Sequence, residues 1–432
     1  MKMKKSIFLV MFVFALVISL SLSGYAEKIT LRLAWWGNQD RNNRTLKAIE
    51  LFEEKYPDIV IEPNFLGWGD YWEKMATQAA GQNLPDVWQQ DYKYLSLYVA
   101  KDLLLNLNPY LEDSSLDFSN VEESAVSGGI MKGGLYGVNL GSNAMATVYD
   151  PQLFNKAGVE EPSPDKWTWE DYIDTLYKLH NALGIYADVG LTQANQLEGF
   201  SYYLRQMGKE IFKEDATGLG YEDDNLLADF FRMDLKLTKD GVFAPASVRR
   251  EDADIFNVEK RLFANNMLVM CSSIWSNQIV SLEKETGRSF KMTILPTSKN
   301  QVQNGLYLKP SMFFSVTKYT DCPETAVKFI NFITNDLECN KILMGERGVP
   351  VSSEIRKGLA PLLTDTAKKT FDYIDLAAKH ASKISPPFPA YLNEVLDSYQ
   401  KVHEKVLFEM MTVDEAAKQF REEASKIINK YL

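Results

Sequence analysis

The spacing of apolar residues in the first hundred positions predicts strands and helices in turn. In the first predicted strand Ile29, Leu31 and Leu33 lie two residues apart, as one buried face of a strand requires. Farther along, apolar residues recur at helical spacing until Pro57 stops the helix. The predicted elements are strands at 28–34, 59–61 and 86–90, a helix at 42–55, and a helix that Asp70 caps and Gly81 ends. This alternation predicts a parallel sheet covered by helices on both faces.

The rest of the chain contains more loop and ends in a helical tail. Its length of 432 residues exceeds what one hydrophobic core usually supports, so we expect two domains. A ligand of an open sheet lies beyond the carboxyl ends of the strands, where Trp36 and residues 89–91 fall. The predicted elements here are a hairpin before Leu140, strands at 147–149, 267–271, 307–309 and 312–316, and helices from 168, at 252–262, 323–334 and 337–344, and beyond 366.

The N-terminus has the pattern of a secretory signal peptide. Three lysines precede an apolar run at 7–22, and small residues follow at Gly24 and Ala26. We expect cleavage near Ala26, which removes residues 1–26. A permanent membrane anchor is the alternative, but the run is short and no stop-transfer charges follow it. Position 25 is Tyr25, so the cysteine that would carry a lipid is missing, and this predicts a periplasmic or secreted protein.

Charge and cysteine content exclude some classes of partner. The net charge is −11, and such an acidic surface repels nucleic acid and anionic membranes. Cys271, Cys322 and Cys339 are too few for a disulfide framework, although a bridge between the last two is conceivable. We therefore expect neither a nucleic-acid partner nor a disulfide-dependent fold.

No reactive motif is recognisable in the sequence. It contains neither a glycine-rich phosphate loop nor a nucleophile elbow, and His180, His380 and His403 are far apart. Carboxylates are numerous enough to supply the catalytic pair of a glycosidase, but nothing in the sequence singles out two of them as that pair. The pattern favours a binding protein without cofactor or metal over an enzyme.

Tryptophan is concentrated near the N-terminus. Five of the eight tryptophans lie in the first ninety residues, and Trp36, Trp68 and Trp88 stand beside glycine or polar residues at predicted strand ends and loops. Indole faces stack on the CH groups of sugar rings, while amides and carboxylates bind the hydroxyls. Core packing is the alternative for each, because large aromatic residues are mostly buried.

Six segments in the same order resemble one family, the extracellular solute-binding proteins of ABC sugar importers, which include maltose-binding protein. Among them are the first strand and its loop, the first helix, and a signature that begins at Tyr149 and ends at Gly158. Singly each match is weak, and together they cover the mature chain. The matching segments are 31–37, 46–57, 84–87, 149–158 with the helix start at 167–170, 326–332 and 348–350.

The resemblance implies an α/β fold of two lobes, each a mixed sheet flanked by helices, joined by crossing hinge strands. It suggests 27–140 plus 305–350 for the first lobe and 141–304 plus 351–432 for the second. A sugar, in this chain an oligosaccharide, would bind in the cleft, close the lobes by hinge bending, and be delivered to the permease subunits by a monomer. An exported carbohydrate-active enzyme and a binder of peptides or other solutes remain alternatives.

The resemblance also implies ligand contacts, residue by residue. Core packing is an equal alternative for Trp36, helix capping is the better role for Asp40, and a packing role is as plausible for Trp68. In the first lobe the implied contacts are Trp36, Asp40, Arg41, Trp68, Gln89, Gln90 and Asp91.

A second set of implied contacts lies on and after the crossing strands. A stacking role is favoured for Trp275, whereas structural ion pairing is an equal alternative for Lys309 and Arg347. Arg41, Lys309 and Arg347 are also candidates to meet a uronate carboxylate. The second set comprises Asn143, Trp275, Tyr307, Lys309 and Arg347.

Overall fold

The computed structural model describes residues 28–37, 39–163, 167–191, 197–254, 260–386, 389 and 391–432. The predicted signal peptide, residues 1–26, lies outside these ranges. Within them, no helix combines the length and the apolar composition that crossing a bilayer demands.

The strands of the described residues form a five-stranded sheet, a three-stranded sheet and several two-stranded pairs. Their bounds are β1 Ile29–Trp36, β2 Ile59–Leu66, β3 Val87–Gln90, β4 Ile130–Met131, β5 Gly134–Leu135, β6 Val138–Asn139, β7 Ser142–Asn143, β8 Met145–Tyr149, β9 Met270–Trp275, β10 Lys291–Thr293, β11 Leu306–Tyr307, β12 Lys309–Pro310, β13 Phe313–Val316 and β14 Ala381–Ser382.

Helices cover these sheets and form most of the C-terminal region. Their bounds are α1 Gln39–Lys55, α2 Trp68–Ala80, α3 Tyr92–Ala100, α4 Asn108–Glu112, α5 Glu123–Val126, α6 Pro151–Ala157, α7 Trp169–Leu183, α8 Glu198–Gln206, α9 Asn225–Lys239, α10 Ala246–Asp254, α11 Ile279–Thr286, α12 Pro323–Asn335, α13 Leu337–Leu343, α14 Ser353–Leu359, α15 Asp365–Lys379, α16 Leu392–Leu407 and α17 Val413–Asn429. Short 3-10 turns lie at Ser127–Gly129, Ser276–Gln278 and Ala360–Leu362.

The five-stranded sheet belongs to the first lobe and has the order β2-β1-β3-β13-β6. Strand β1 runs parallel to β2 and to β3, with Leu33 opposite Val87. Strand β13 returns late in the chain and pairs antiparallel with β3 and β6. The parallel pairing predicted for the first three strands is therefore confirmed, and β13 makes the sheet mixed.

Alternation along β1 directs apolar side chains to both faces of this sheet. Leu31, Leu33 and Trp35 are fully buried and share a core with Phe52 of α1 and Phe329 of α12. The two phenylalanine rings meet edge to face with their centroids 5.2 Å apart. Full burial of one such side chain stabilises the fold by about 2–3 kcal/mol.

The second lobe is built on the antiparallel sheet β10-β8-β9. Thr168 and Asp171 form a capping box that starts α7. Along α7 the predicted stripe of Tyr172, Leu176 and Leu179 is buried against the core of this lobe. Helices α9, α16 and α17 contribute to the same core, which explains why the helical tail belongs to the second lobe.

Stretches of chain that pass between the lobes lie side by side. Ser142 exchanges backbone hydrogen bonds of 2.8 and 3.2 Å with Val349. Strand β7 pairs antiparallel with β12, so that Asn143 lies opposite Lys309. These pairings form the crossing strands of the two-lobed fold, and the residue at which each lobe begins stays a prediction.

Several predicted element boundaries are wrong. Helix α2 begins at Trp68, with Gly67 as an extended N-cap, rather than at the predicted cap Asp70. Asp70 instead lies in the first turn, where a negative charge favours the helix dipole. The strand predicted at 267–271 begins later, at β9, because its pairing with β8 sets its register.

The predicted helix at 252–262 also begins earlier than expected, at α10, and residues 255–259 lie outside the described residues. Cys322 and Cys339 are not joined by a disulfide, so the conceivable bridge between them is not formed.

Candidate ligand-binding site

An aromatic cluster follows the carboxyl end of β1. Trp36 is 8 % exposed, and its ring centroid lies 5.0 Å from that of Trp68 and 5.5 Å from that of Trp72. Tyr71 and Tyr94 complete the cluster. Trp68 is 47 % exposed, so it offers an open indole face while Trp36 mainly supports it.

The adjacent strand end at β3 contributes two glutamines with different surroundings. Both are fully buried. The Gln89 amide is occupied, since Nε2 donates to the Trp36 carbonyl at 3.1 Å and Oε1 accepts from Arg347 at 3.0 Å. Neither polar atom of the Gln90 side chain has a hydrogen-bond partner in the described residues. Asp91 caps α3 by accepting from the backbone of Lys93 at 2.8 Å.

Two charged residues of α1 are engaged in ion pairs. Nε of Arg41 donates to both carboxylate oxygens of Glu346, at 2.8 and 2.9 Å. Asp40 lies in the first turn of the helix and accepts from Arg44 at 2.8 Å on an exposed face. A ligand contact by Asp40 or by Arg41 stays a prediction, but the capping role favoured for Asp40 is wrong, because α1 begins before it, at Gln39.

Arg347 is buried beneath the β3 end. Besides its bond to Gln89, its Nη2 donates to the hydroxyl of Thr45 at 2.9 Å. Burial, and then repulsion from Arg41, lowers the pKa of Arg347 to about 10, so the guanidinium stays charged at neutral pH. Arg347 therefore orients Gln89 and has little surface of its own to offer.

The crossing strands gather four of the predicted residues. Nζ of Lys309 lies 4.4 Å from the centroid of the Trp275 ring, in cation–π geometry. The Trp275 and Tyr307 rings are 6.4 Å apart. Asn143 is paired with Lys309, and its buried Oδ1 has no hydrogen-bond partner in the described part of the chain.

Sequence reasoning missed Arg205 and its surroundings. The guanidinium of this buried residue stacks 5.3 Å from the Tyr307 ring centroid. It also donates to Glu210 and to the Gly305 carbonyl, each at 2.9 Å, and to residues 382–385. No periodicity or motif pointed to Arg205, because its partners are distant in sequence.

Tyr92 and Glu198 were missed as well. The Tyr92 hydroxyl donates to the Ser385 carbonyl, which links α3 of the first lobe to the tail of the second. Burial raises the pKa of Glu198, and the charge of Lys309 partly opposes that rise. Burial raises the pKa of Tyr307, and the charge of Glu198 adds to the rise. Tyr92 could have been found, because it directly follows the predicted residues 89–91.

Comparisons with known proteins agree with this architecture. The family model described as bacterial extracellular solute-binding protein matches residues 47–368. This chain belongs to that family. A protein of Brucella abortus (strain 2308) that is named as a binding protein is 22 % identical over 310 residues, which cover 71 % of this chain and 72 % of the relative.

Solved structures of solute-binding proteins share the fold. An extracellular solute-binding protein of family 1 from Alicyclobacillus acidocaldarius is 30 % identical, with a TM-score of 0.83 and coverage of 94 % of this chain and 100 % of that one. A periplasmic oligogalacturonide-binding protein from Yersinia enterocolitica is 23 % identical, with a TM-score of 0.78 and coverage of 93 % and 99 %. The resemblance inferred from sequence motifs is thus confirmed, and both the family and these similar structures are binding proteins.

In this solute-binding protein, a series of contacts connects the β3 end with the crossing strands. The Gln90 backbone pairs with Phe313, and the Phe313 ring lies 6.3 Å from that of Tyr92. Tyr92 and Arg205 both donate hydrogen bonds to Ser385, and the Arg205 guanidinium lies 5.3 Å from the Tyr307 ring centroid. The candidate site therefore runs from Gln90 through Tyr92 to the rings of Tyr307 and Trp275.

A cavity elsewhere in the structure includes none of the predicted residues. Its volume is about 480 Å³, and it lies between the outer ends of α1 and α12, with Tyr56 and Lys328 in its lining. In the described residues, no group of three or more His, Cys, Asp or Glu side chains has the arrangement of a metal site. Because the lining of this cavity includes none of the predicted residues, the candidate site rests on the contacts above.

Proposed function

We propose that this protein binds an oligosaccharide in the cleft between its lobes and delivers it to the permease of an ABC importer. The aromatic cluster and the Trp275–Tyr307 ring pair support a sugar ligand, because ring faces stack on the CH groups of pyranoses. In this proposal each of the two aromatic groups stacks on a separate sugar ring, and Trp68 provides the exposed indole face of the first group. That supports an oligosaccharide over a monosaccharide.

The single observation that carries the proposal is the state of the Gln90 side chain. It is fully buried at the carboxyl end of β3, and its donor and acceptor have no partner in the described residues. A buried polar group without a hydrogen bond costs about 1–3 kcal/mol. Once opening of the lobes uncovers this position, a sugar hydroxyl, which both donates and accepts, can satisfy the two Gln90 atoms, and another can satisfy Oδ1 of Asn143.

Ligand binding is coupled to lobe closure in this proposal. The lobes comprise 27–140 plus 305–350 and 141–304 plus 351–432, and bending at the crossing strands brings them together. The ligand shifts this equilibrium only by its preference for the closed form. The closed monomer then docks on the permease subunits.

In this proposal residues 1–26 direct export and are then removed by cleavage near Ala26. Because Tyr25 stands where a lipoprotein would have cysteine, the mature protein is released into the periplasm or secreted freely. The protein has no catalytic activity of its own in this proposal. Incubation with oligosaccharides and an assay for new reducing ends tests that statement, since product formation would assign an enzyme instead.

A thermal-shift screen of mono- and oligosaccharides beside peptides tests the function. A ligand at about 100 times its Kd stabilises the folded state by about 2.7 kcal/mol, which raises Tm. We expect oligosaccharides to raise Tm and peptides to leave it unchanged. A rise with peptides alone would refute the sugar assignment.

Gln90→Leu makes the screen specific for the site. Leucine keeps most of the side-chain volume and removes the two unpaired atoms, so the ligand-free protein should be at least as stable as the wild type. The ligand-induced rise in Tm should nevertheless be lost. Gln89→Leu is the comparison variant. It breaks the two hydrogen bonds that Gln89 makes with Trp36 and Arg347, so we expect it to lower the Tm of the ligand-free protein.

A further inference from the structure

Arg205 uses all of its N–H groups to hold one short segment in place. Its Nη1 donates to Glu210 at 2.9 Å and to the Ser385 hydroxyl at 2.6 Å. Its Nη2 donates to the Ser382 hydroxyl and to the Lys383 carbonyl, each at 2.5 Å. Its Nε donates at 2.9 Å to the carbonyl that directly precedes β11. This buried guanidinium is therefore fully satisfied by protein atoms, and its fork geometry fixes the segment that it contacts.

The segment that Arg205 holds comprises residues 381–385, which we call the strap. It begins with β14, which pairs parallel with β11, so that Ser382 lies opposite Tyr307. The Ser382 hydroxyl also donates to the Asn304 carbonyl at 2.7 Å. The strap is thus fixed beside the crossing strands and beside a ring of the candidate site.

Side chains of the first lobe contact the strap at three points. The Tyr92 hydroxyl donates to the Ser385 carbonyl. Glu123 of α5 forms an ion pair of 2.8 Å with Lys383, and the Ser127 hydroxyl accepts from a backbone amide of the strap at 3.4 Å. All three first-lobe residues precede β7 in sequence, whereas the strap follows β12. These contacts therefore join the two lobes, and opening of the lobes would separate their partners.

We propose that Arg205 is a positioning residue for ligand binding, because it holds the strap where the strap stabilises the closed lobes. The proposal rests on the proposed function and adds the residues that set the closing equilibrium. A ligand that binds the closed form has an apparent Kd equal to its intrinsic Kd divided by the closed fraction of the protein. Loosening the strap therefore enlarges the ligand-free protein where the closed form predominates, and weakens affinity where the open form predominates.

Charge reversal at the Glu123–Lys383 pair tests the strap at exposed side chains outside the candidate site. Glu123→Lys and Lys383→Glu each place two like charges together, whereas the double variant restores opposite charges. Calorimetry on the full mature protein gives Kd for maltotriose, cellotriose and trigalacturonate, and small-angle X-ray scattering gives the ligand-free radius of gyration.

Each single reversal should weaken binding about threefold or more, or increase the ligand-free radius, and the double variant should return both to the wild-type values. Asp174→Lys is the matched control, since it reverses one charge of an exposed pair within α7, and it should change neither. If the wild type binds a sugar and the single reversals match it in both Kd and radius, the proposed role of the strap is wrong while the proposed function stands. If the wild type binds none of the three sugars, the proposed function fails, and the inference with it.

The role of Arg205 is tested through Ser385. Ser385→Ala removes the hydroxyl that accepts from Arg205 and keeps the carbonyl that accepts from Tyr92. It should loosen the strap, as Tyr92→Phe should by deleting the other partner of that carbonyl. Because both changes act on one contact between the lobes, the double variant should weaken binding by less than the product of the two single fold-changes. A full product would show that Arg205 does not act through the strap.

Discussion

Arg41 and Glu346 form an ion pair with two contacts, 2.8 and 2.9 Å long, although 305 residues separate them in sequence. Their side chains are only 14 % and 11 % exposed. The pair joins the first helix of the first lobe to the segment that leads into the crossing strand at Val349. It therefore ties α1 to the crossing strands, and a ligand contact by Arg41 stays a prediction.

Replacement of one partner of this pair should destabilise the protein. Glu346→Gln leaves the Arg41 charge largely buried without its anion, and we expect a loss of about 3 kcal/mol in the free energy of unfolding. Urea denaturation measures it. The double variant with Arg41→Met should lose less than the sum of the single losses. Lys178→Met, in an exposed pair with Asp174, should cost about 0.5 kcal/mol or less, and an equal loss there would contradict the argument.

The crossing strands depend on a glycine at position 141. A Cβ atom there would lie 2.4 Å from the carbonyl oxygen of Arg347 and 2.8 Å from the backbone of Gly348. Gly141→Ala should therefore force the strands apart, destabilise the protein by about 2–4 kcal/mol and weaken ligand binding. Gly69→Ala, in helix α2 with no atom within 4 Å of the new Cβ, should be neutral or stabilising. Equal Tm values for the two variants would show that the crossing is not tightly packed.

The first sheet could be predicted because its signals are local. Apolar spacing of two in β1 and a proline after α1 determine those elements from neighbouring residues alone. The same alternation shows that Gln89 and Gln90 point to opposite faces. It cannot show that Arg347 occupies one of the two amides, because that contact joins residues 258 positions apart.

Tryptophan composition indicated an aromatic site but could not rank its members. Trp88 is fully buried, Trp36 is 8 % exposed and Trp68 is 47 % exposed, although all three have polar or glycine neighbours in sequence. Their exposure is decided by packing against α2 and α3, which is a tertiary property. For the same reason Arg205 and Glu198 were missed, since each acquires its surroundings from distant segments.

Substitution of Trp275 should affect ligand binding, whereas substitution of Trp88 should affect the stability of the fold. Trp275 stacks beside Lys309 in the candidate site, so Trp275→Ala should weaken oligosaccharide binding by about 1–3 kcal/mol and leave the fold intact. Trp88→Ala removes a fully buried ring and should lower the free energy of unfolding by about 3–5 kcal/mol. Calorimetric titration and urea denaturation measure the two effects. Unchanged affinity in Trp275→Ala would remove this ring from the ligand site.

Glu283 should make the stability of the second lobe depend on pH in the acidic range. Burial alone would raise its pKa, but hydrogen bonds from Lys369, Thr366 and the Phe290 backbone outweigh burial and lower the pKa below 4.5. A lowered folded-state pKa stabilises the folded protein above the unfolded value, and this contribution is lost as pH falls through the folded-state pKa. Glu283→Gln should therefore cost about 1–3 kcal/mol at neutral pH, and its difference from wild type should shrink below pH 4.5. Glu285→Gln, on the exposed side of the same helix, should follow the wild-type curve; a difference for Glu283→Gln that stayed constant down to the lowest pH would show that packing rather than charge accounts for the loss.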